Sequence, residues 1–183
     1  MTKQDTLEKR VKKTYLGLGS NLGNKKNNIE YAKFLLQQNK KFKIHKTSSF
    51  YKTKSWPNNN NPFFLNVVIE GLTTLKPLDL FNFVKEIEIK LGRKKTHKNS
   101  PRECDIDILD YDQKTCKIKN NDDFIHIPHP RLHQRNFVLL PLFEISKNWS
   151  YPNKNTKITD LLKNLDIVSL RSIKLLWIHA INE

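Results

Sequence analysis

The order in which strand-like and helix-like segments follow one another constrains the fold of this chain most. Apolar residues at helical spacing predict two helices, over residues 24–40 and 77–91. Segments with β-branched, aromatic or alternating apolar residues predict four strands, at 14–19, 46–53, 63–74 and 102–110. The resulting order is that of the ferredoxin-like α+β fold, an antiparallel βαββαβ core with both helices packed on one sheet face.

Length and composition fit one compact domain over residues 1–183. The chain has 183 residues, 37% of them hydrophobic, which suits one core and is short for two. A further packed segment is predicted at 138–145 and a short helix at 158–165. Residues 1–13 lack the apolar segment of a secretory signal, and no apolar run is long enough to span a membrane. We expect a monomeric cytoplasmic protein without a membrane partner, in which Cys104 and Cys116 stay reduced.

The strong positive charge does not by itself indicate a nucleic-acid partner. A formal charge of +15 would attract phosphates. Only six of the 33 basic residues are arginine, however, and the lysines are scattered among 20 asparagines. Because arginine is the residue that forks onto phosphates and base edges, a sequence-reading protein is expected to contain more of it. We expect no nucleic-acid partner, and a field that attracts small polyanionic substrates.

Acidic residues interrupt the last predicted strand of the core, which reads RECDIDILD over residues 102–110. Since alternate residues of a strand share a face, the apolar residues point to the core, and Asp105 and Asp107 stand together on the opposite face. Two adjacent carboxylates with room for water suit Mg²⁺ bound to substrate phosphates. The alternative is a solvated strand face that is acidic by chance, because a DxD pattern alone is a weak signal.

Basic residues around that strand favour a phosphate site. Arg93 follows the second helix, Arg102 precedes the acidic pair, and residues 93–101 form a basic, aperiodic stretch predicted to be an exposed loop that closes on ligands. Phosphoryl-type transfer requires this combination of divalent metal and cationic clamp. No GxxxxGK[ST] motif is present, and GLGSNLG misses GxGxxG by one residue, so its glycines are interpreted as a tight strand-to-helix turn.

Six ordered blocks resemble one enzyme family. The blocks are YLGLGSNLGN (15–24), SSFYKT (48–53), FLNVVIEG (64–71), EIEIKLGR (86–93), SPRECDIDILDYD (100–112) and IPHPRLHQRNFVLLPLFEI (127–145). Over residues 15–165 they are similar to 6-hydroxymethyl-7,8-dihydropterin pyrophosphokinase, a folate-pathway enzyme family, whereas residues 1–13 and 177–183 lie outside the resemblance. The resemblance implies transfer of pyrophosphate from ATP to the hydroxymethyl group of the pterin, with two Mg²⁺ ions and AMP as product.

The resemblance also implies roles for individual residues. Asp105 and Asp107 would hold both Mg²⁺ ions, while Arg93 and Arg102 would clamp the phosphates. Contacts with ATP are implied for Glu88, His129 and Arg135. Contacts with the pterin are implied for Thr53, Phe64, Asn66 and Phe137. Aromatic faces suit a planar heterocycle, and a carboxamide can match its polar edge. Taken singly, each of these residues could instead be an ordinary core, strand or surface residue.

Departures from the family pattern and two other functions stay open. Glu103 stands where the family usually has a small residue and Cys104 where it has Ile or Leu, and residues 54–61 replace a loop that usually carries Pro and Gly. One alternative is an RNA-binding module that uses aromatic residues of 63–68 for stacking, although the RNP-type aromatic string is missing. The other is a two-metal phosphohydrolase or nucleotidyltransferase, which needs the acidic pair but not the paired phenylalanines.

Overall fold

The computed structural model describes residues 10–55, 60–94, 100–120 and 123–176. Its strands are β1 (Lys12–Ser20), β2 (Phe42–Thr47), β3 (Phe50–Thr53), β4 (Phe64–Thr73), β5 (Asp105–Tyr111), β6 (Cys116–Asn120), β7 (Asp123–Ile127), β8 (Ser150–Tyr151), β9 (Thr156–Lys157) and β10 (Lys174–Leu176). Its helices are α1 (Lys25–Gln37), α2 (Pro77–Lys90), α3 (Asn136–Ile145), α4 (Ile158–Lys163) and α5 (Ile167–Ser172), with a 3-10 turn at Leu132–Gln134. Among the described residues, no helix is long and apolar enough to cross a membrane.

Two of the sequence expectations fall partly outside this description. The centre of the predicted basic loop, residues 95–99, and the first half of the asparagine run, residues 58–59, lie outside the described residues. Residues 1–9 and 177–183 lie outside them as well. The predicted closure of the basic loop therefore stays a prediction.

One antiparallel sheet carries the core elements. Its strands lie in the order β10-β3-β4-β1-β5, and β2 pairs with β4 beside β3. With β2 and β3 counted as one interrupted edge strand, β2/β3-β4-β1-β5 is the strand order of the ferredoxin-like fold, which confirms the predicted fold class. The prediction of one strand at 46–53 is wrong, because Ser48 separates two strands. Its hydroxyl accepts the Val68 N–H at 3.0 Å and so replaces a backbone acceptor of the ladder.

Alternation along the central strands divides the apolar residues between two cores. Leu16 and Leu18 of β1 face α1 and α2, whose buried stripes are Ile29, Ala32, Leu36, Leu80, Val84 and Ile87. Tyr15 faces the other way, into a second core formed largely by α3 and α4. The placement of the first two helices on one sheet face is therefore confirmed. The packed segment predicted at 138–145 is part of α3, which covers the second face and closes one side of the site described below.

The helix ends follow their local sequence. Asn24 accepts the Asn27 N–H at 3.1 Å and caps α1, which ends at Gln37, three residues before the predicted end. Pro77 begins α2, and Gly92 follows its end with φ of +101°, a conformation that favours glycine. The interpretation of the glycines of GLGSNLG as a strand-to-helix turn is wrong for Gly17 and Gly19, which lie inside β1, and is confirmed for Gly23, which lies between β1 and α1 with φ of +61°.

Candidate active site

Asp105 and Asp107 of β5 stand on the sheet face opposite α1 and α2. Ile106, between them, is buried in the first core, whereas the side chains of Asp105 and Asp107 are 24% and 34% exposed. This confirms the predicted division of the strand between a core face and an acidic face. Within the described residues, no group of three or more His, Cys, Asp or Glu side chains could hold one metal ion. Any metal at this pair would need further ligands from substrate or water.

Two arginines approach Asp105 from different segments. Arg93, which follows α2, contacts Oδ1, and the Arg102 Nε lies 3.3 Å from Oδ2. Burial alone would raise the pKa of Asp105, but these two guanidinium groups and Lys85 hold it below its ordinary value. The Arg102 Nε–H is not aimed well enough for a hydrogen bond, and among the described residues it is the one buried side-chain nitrogen or oxygen without a hydrogen-bond partner.

Glu88 lies beneath these cations rather than at the surface. Its side chain is 1% exposed, and its Oε1 accepts the Ile106 N–H of the edge strand at 2.7 Å. The Lys85 Nζ lies 2.8 Å from Oε1 and the Arg93 guanidinium 2.6 Å from Oε2. Burial raises the pKa of Glu88, although Lys85 opposes the shift. Glu88 thus joins α2 to β5 and holds Arg93 in place beside Asp105, with both of its oxygens paired within the chain.

The segment from β7 to α3 brings a third arginine to the acidic pair. The Arg135 guanidinium lies 3.0 Å from Asp107 Oδ2, and its central carbon lies 5.5 Å from the Phe137 ring centroid. His129 Nδ1 accepts the Arg131 N–H at 3.0 Å, so the neutral ring carries its proton on Nε2. Burial lowers the pKa of His129. Phe137 also packs against the second core, so one of its sides is held by the fold.

Asn66, Gly19 and Asp105 lie side by side on three neighbouring strands. Gly19 of β1 pairs with Asn66 of β4 on one side and with Asp105 of β5 on the other. The Asn66 amide donates to Thr53 Oγ1 at 2.9 Å and to the Tyr51 carbonyl at 3.3 Å, which fixes its orientation. A Cβ on Gly19 would lie 3.2 Å from Asn66 Oδ1 and 3.5 Å from the Phe64 ring. Glycine therefore lets the Asn66 carboxamide and the Phe64 ring approach β1 closely, next to the Asp105 carboxylate.

Arg102 lies between the Phe64 ring and the acidic pair. Its guanidinium lies 5.5 Å from the Phe64 ring centroid as well as beside Asp105. The structure thus brings the predicted residues together in two linked groups, Phe64 with Arg102 and Asp105, and Phe137 with Arg135 and Asp107. A cavity of about 580 Å³ lies elsewhere, between the β6–β7 hairpin and the β8–β9 turn, and none of the predicted site residues lines it.

Four residues at or near the site were missed by the sequence interpretation. Gly17 and Gly19 were assigned to a turn, although alternate glycines in an otherwise apolar strand are a signal for close approach of a ligand or another group. Lys85 carried a weaker signal, its spacing of three residues from Glu88 on one helix face. Asn21, whose Oδ1 accepts the Arg102 N–H, carried no signal, because its partners are distant in sequence.

The geometry agrees with comparisons to known proteins. The model of the family described as 7,8-dihydro-6-hydroxymethylpterin-pyrophosphokinase (HPPK) matches residues 15–147. The chain belongs to the HPPK family. It is 39% identical over 139 residues to the 2-amino-4-hydroxy-6-hydroxymethyldihydropteridine pyrophosphokinase of Aquifex aeolicus, covering 75% of this chain and 82% of that protein. It is 35% identical over 131 residues to the Bacillus subtilis protein of the same name, covering 72% of this chain and 76% of that protein.

Solved structures agree on the HPPK fold. The crystal structure of wild-type Plasmodium falciparum HPPK-DHPS superposes with a TM-score of 0.68 at 17% identity, covering 84% of this chain. The match spans 41% of that longer chain. At this identity the likeness establishes the fold, and the assignment to the HPPK family depends on the sequence matches.

Proposed function

We propose that this protein transfers pyrophosphate from ATP to the hydroxymethyl group of 6-hydroxymethyl-7,8-dihydropterin and releases AMP, a step of folate synthesis. Membership of the HPPK family supports this activity. The observation that carries it is the row Asn66–Gly19–Asp105, which puts a carboxamide and a carboxylate on one sheet face, on either side of a glycine. A flat heterocycle that hydrogen-bonds to Asn66 in this row would direct its substituent toward the acidic pair.

Asp105 and Asp107 are the residues that would hold Mg²⁺. The fit is chemical: two carboxylates on one strand face supply hard oxygen ligands, and the missing ligands would come from phosphate and water. When bound, the ions would neutralise the charge that spreads over the transferred group and its leaving group. The two carboxylates are now neutralised by arginines, which would be released toward the phosphates as the metal takes their place.

Three arginines would form the cationic clamp for the triphosphate. Arg93, Arg102 and Arg135 reach the acidic pair from three different segments, and Arg102 still has an unsatisfied Nε–H. Fixed donors aimed at developing charge lower the barrier without reorganisation during the reaction. His129 supplies a neutral ring with Nε2–H as a further donor to ATP. In this arrangement Glu88 acts on ATP through Arg93, which it holds.

Asn66, Thr53, Phe64 and Phe137 would bind the pterin. Both Asn66 Nδ2 protons are used within the chain, and no described residue donates to its Oδ1, which is left to accept from the polar edge of the ring. Phe64 and Phe137 are each partly exposed beside an arginine of the clamp. Their faces suit stacking on a planar heterocycle that lies next to the phosphates.

We further propose that the protein acts as a single-domain cytoplasmic monomer on these two small molecules, without a nucleic-acid or membrane partner. The free cysteines Cys104 and Cys116 are consistent with a reducing compartment. Sedimentation at several protein concentrations tests the monomer, and a gel-shift with mixed RNA at physiological salt tests the absence of nucleic-acid binding. A sedimentation coefficient that rises with concentration, or a shift that survives physiological salt, would contradict the respective statement.

The deciding experiment is to incubate the protein with MgATP and hydroxymethyldihydropterin and to separate the nucleotides. AMP should form in equal amount to the pterin pyrophosphate, and neither should form without the pterin. Formation of ADP would indicate simple phosphoryl transfer instead. Phosphate or pyrophosphate release that does not depend on the pterin would favour the phosphohydrolase alternative.

A further inference from the structure

Asn21 is a buried polar residue that directly follows β1 and lies between the two halves of the site. It is 1% exposed, and all of its side-chain hydrogen-bonding groups have partners within the chain. Burying a carboxamide is unfavourable unless each of its polar groups is satisfied, and here each one has a partner. None of its side-chain partners lies within thirty residues along the chain.

On one side, Asn21 holds the backbone of Arg102. Its N–H donates to the Arg102 carbonyl at 3.2 Å, and its Oδ1 accepts the Arg102 N–H at 2.8 Å. This reciprocal pair extends the β1–β5 ladder beyond the pairing of Gly19 with Asp105. The backbone of Arg102, whose side chain lies beside both Asp105 and Phe64, is therefore held in place by Asn21.

On the other side, Asn21 holds both ends of the connection between β3 and β4. Its Nδ2 donates to Ser55 Oγ at 3.3 Å and to the Pro62 carbonyl at 3.4 Å. Ser55 Oγ itself donates to the Pro62 carbonyl at 2.6 Å. Ser55 follows Thr53 by two residues and Pro62 precedes Phe64 by two, so this cluster fixes the segments that carry two proposed pterin contacts.

We infer that Asn21 is a positioning residue that couples Arg102, on the phosphate side of the site, to the Ser55–Pro62 pair on the pterin side. The inference deepens the proposed function and rests on it for the roles of the two sides. The position demands one acceptor and two donors in a planar group, and asparagine is the smallest side chain that supplies them. Aspartate would lack the two donors, and serine would reach one side at most.

Hydrogen exchange tests the coupling without relying on catalysis. In Ser55→Ala, which alters the pterin side alone, exchange of the Arg102 backbone amide should rise about two- to tenfold, the scale of one hydrogen bond. Asn21→Ala should raise it by more, because it removes the acceptor itself. Thr14→Val is the matched control: Thr14 donates to the Asp110 carbonyl at 2.6 Å, a buried β1–β5 hydrogen bond at the other end of the strand, and its loss should leave Arg102 exchange unchanged.

Kinetics supply a readout that a merely structural role would not move. In Ser55→Ala and Asn21→Ala, kcat/KM for the pterin should fall about tenfold or more, while Thr14→Val stays near the wild-type value because its hydrogen bond is remote from both sides. Unchanged Arg102 exchange in Ser55→Ala would overturn the inference even if exchange near Ser55 rises. A wild-type protein that forms no AMP would instead overturn the proposed function. The hydrogen-exchange result would still test whether Asn21 couples Ser55 to Arg102, because it does not depend on activity.

Discussion

Three aspartates on β5 show how surroundings separate a structural acid from a site acid. Asp110 is 1% exposed and accepts hydrogen bonds from the Trp149 indole at 2.7 Å and the Gln113 N–H at 3.0 Å. Those donors are neutral and held by packing or by a turn. Asp105 and Asp107 are partly exposed and paired with long arginine side chains. The first environment fixes a carboxylate in place, whereas the second would let it exchange an arginine for a metal ion, as the proposed function requires.

A local irregularity in the strand accounts for where Asp110 points. The β1–β5 register shifts between Tyr15, which pairs with Asp110, and Leu16, which pairs with Ile108. With regular alternation Asp110 would share the face of Ile108 and enter the first, apolar core. The bulge re-aims it to the second core, where Trp149 supplies a donor. One extra residue therefore decides between an unsatisfied buried charge and a satisfied one.

The largest effect is expected in the activity of variants at the two partly exposed aspartates. Asp105→Ala or Asp107→Ala should lower kcat by on the order of a hundred- to a thousandfold, the cost of removing one strong electrostatic contact to the transition state. The free energy of unfolding should change by about 1 kcal/mol or less, because the lost ion pairs are partly exposed and a like charge is removed. Nucleotide separation and urea unfolding measure the two quantities. Normal Mg²⁺-dependent turnover in both variants would remove the metal assignment.

The opposite pattern is expected for the structural acid. Asp110→Ala leaves the buried Trp149 N–H without a partner, and an orphaned buried donor costs about 1–3 kcal/mol, whereas the Gln113 N–H lies in an exposed turn where water can replace the lost acceptor. Urea unfolding should show this loss, while kcat per folded molecule stays near the wild-type value. Trp149 fluorescence provides a local check, since its indole environment changes only in this variant. A stable but inactive Asp110→Ala protein would contradict the assignment of Asp110 to a structural role.

The sequence was sufficient for the element order and for the acidic pair, because both depend on local periodicity. Alternation placed Asp105 and Asp107 opposite the apolar residues of their strand, and the structure agrees. It could not distinguish Asp110, since a bulge depends on pairing with a strand about ninety residues away in sequence. The burial of Glu88 was hidden for a similar reason: its partner is the edge of β5, which helix periodicity does not show. Asn21 and the row through Gly19 likewise depend on long-range register.

A smaller effect is expected for two phenylalanines of α3, one beside the proposed site and one in the core. Phe137 and Phe143 both lie on α3 and pack against the second core, but Phe137 lies beside Arg135 of the clamp. Phe137→Ala should therefore weaken pterin binding by about 1–3 kcal/mol, the scale of one stacking partner, and leave MgATP binding nearly unchanged. Phe143→Ala is the matched control, with lost stability and unchanged pterin affinity. Calorimetric titration with each ligand separates them, and equal loss of both ligands in Phe137→Ala would assign that ring to the core.

The smallest effect is expected in the pH dependence of stability. Two buried acids, Glu70 and Asp110, should contribute to it with opposite signs. Glu70 is as buried as Asp110 but has a basic partner, with its Oε1 2.6 Å from the His45 ring, in addition to the Tyr15 hydroxyl 2.7 Å from Oε2. Burial would raise the pKa of Glu70, but His45, Tyr15 and nearby lysines hold it below its ordinary value. Burial raises the pKa of Asp110, because its neutral donors do not fully offset the lost solvation.

The sign of each pH dependence follows from whether the folded or the unfolded chain binds a proton more readily at that residue. Folded Glu70 binds a proton less readily than the unfolded chain, so its contribution is present above its unfolded pKa and is lost as pH falls through its folded pKa. Folded Asp110 binds a proton more readily, so its contribution decreases as pH rises from its unfolded to its folded pKa. The stability difference between wild type and Glu70→Gln should therefore grow with pH, and that between wild type and Asp110→Asn should shrink, in urea unfolding between about pH 3 and pH 7. Two slopes of the same sign would mean that burial alone, and not the nature of the partners, sets the charge state of acids inside this sheet.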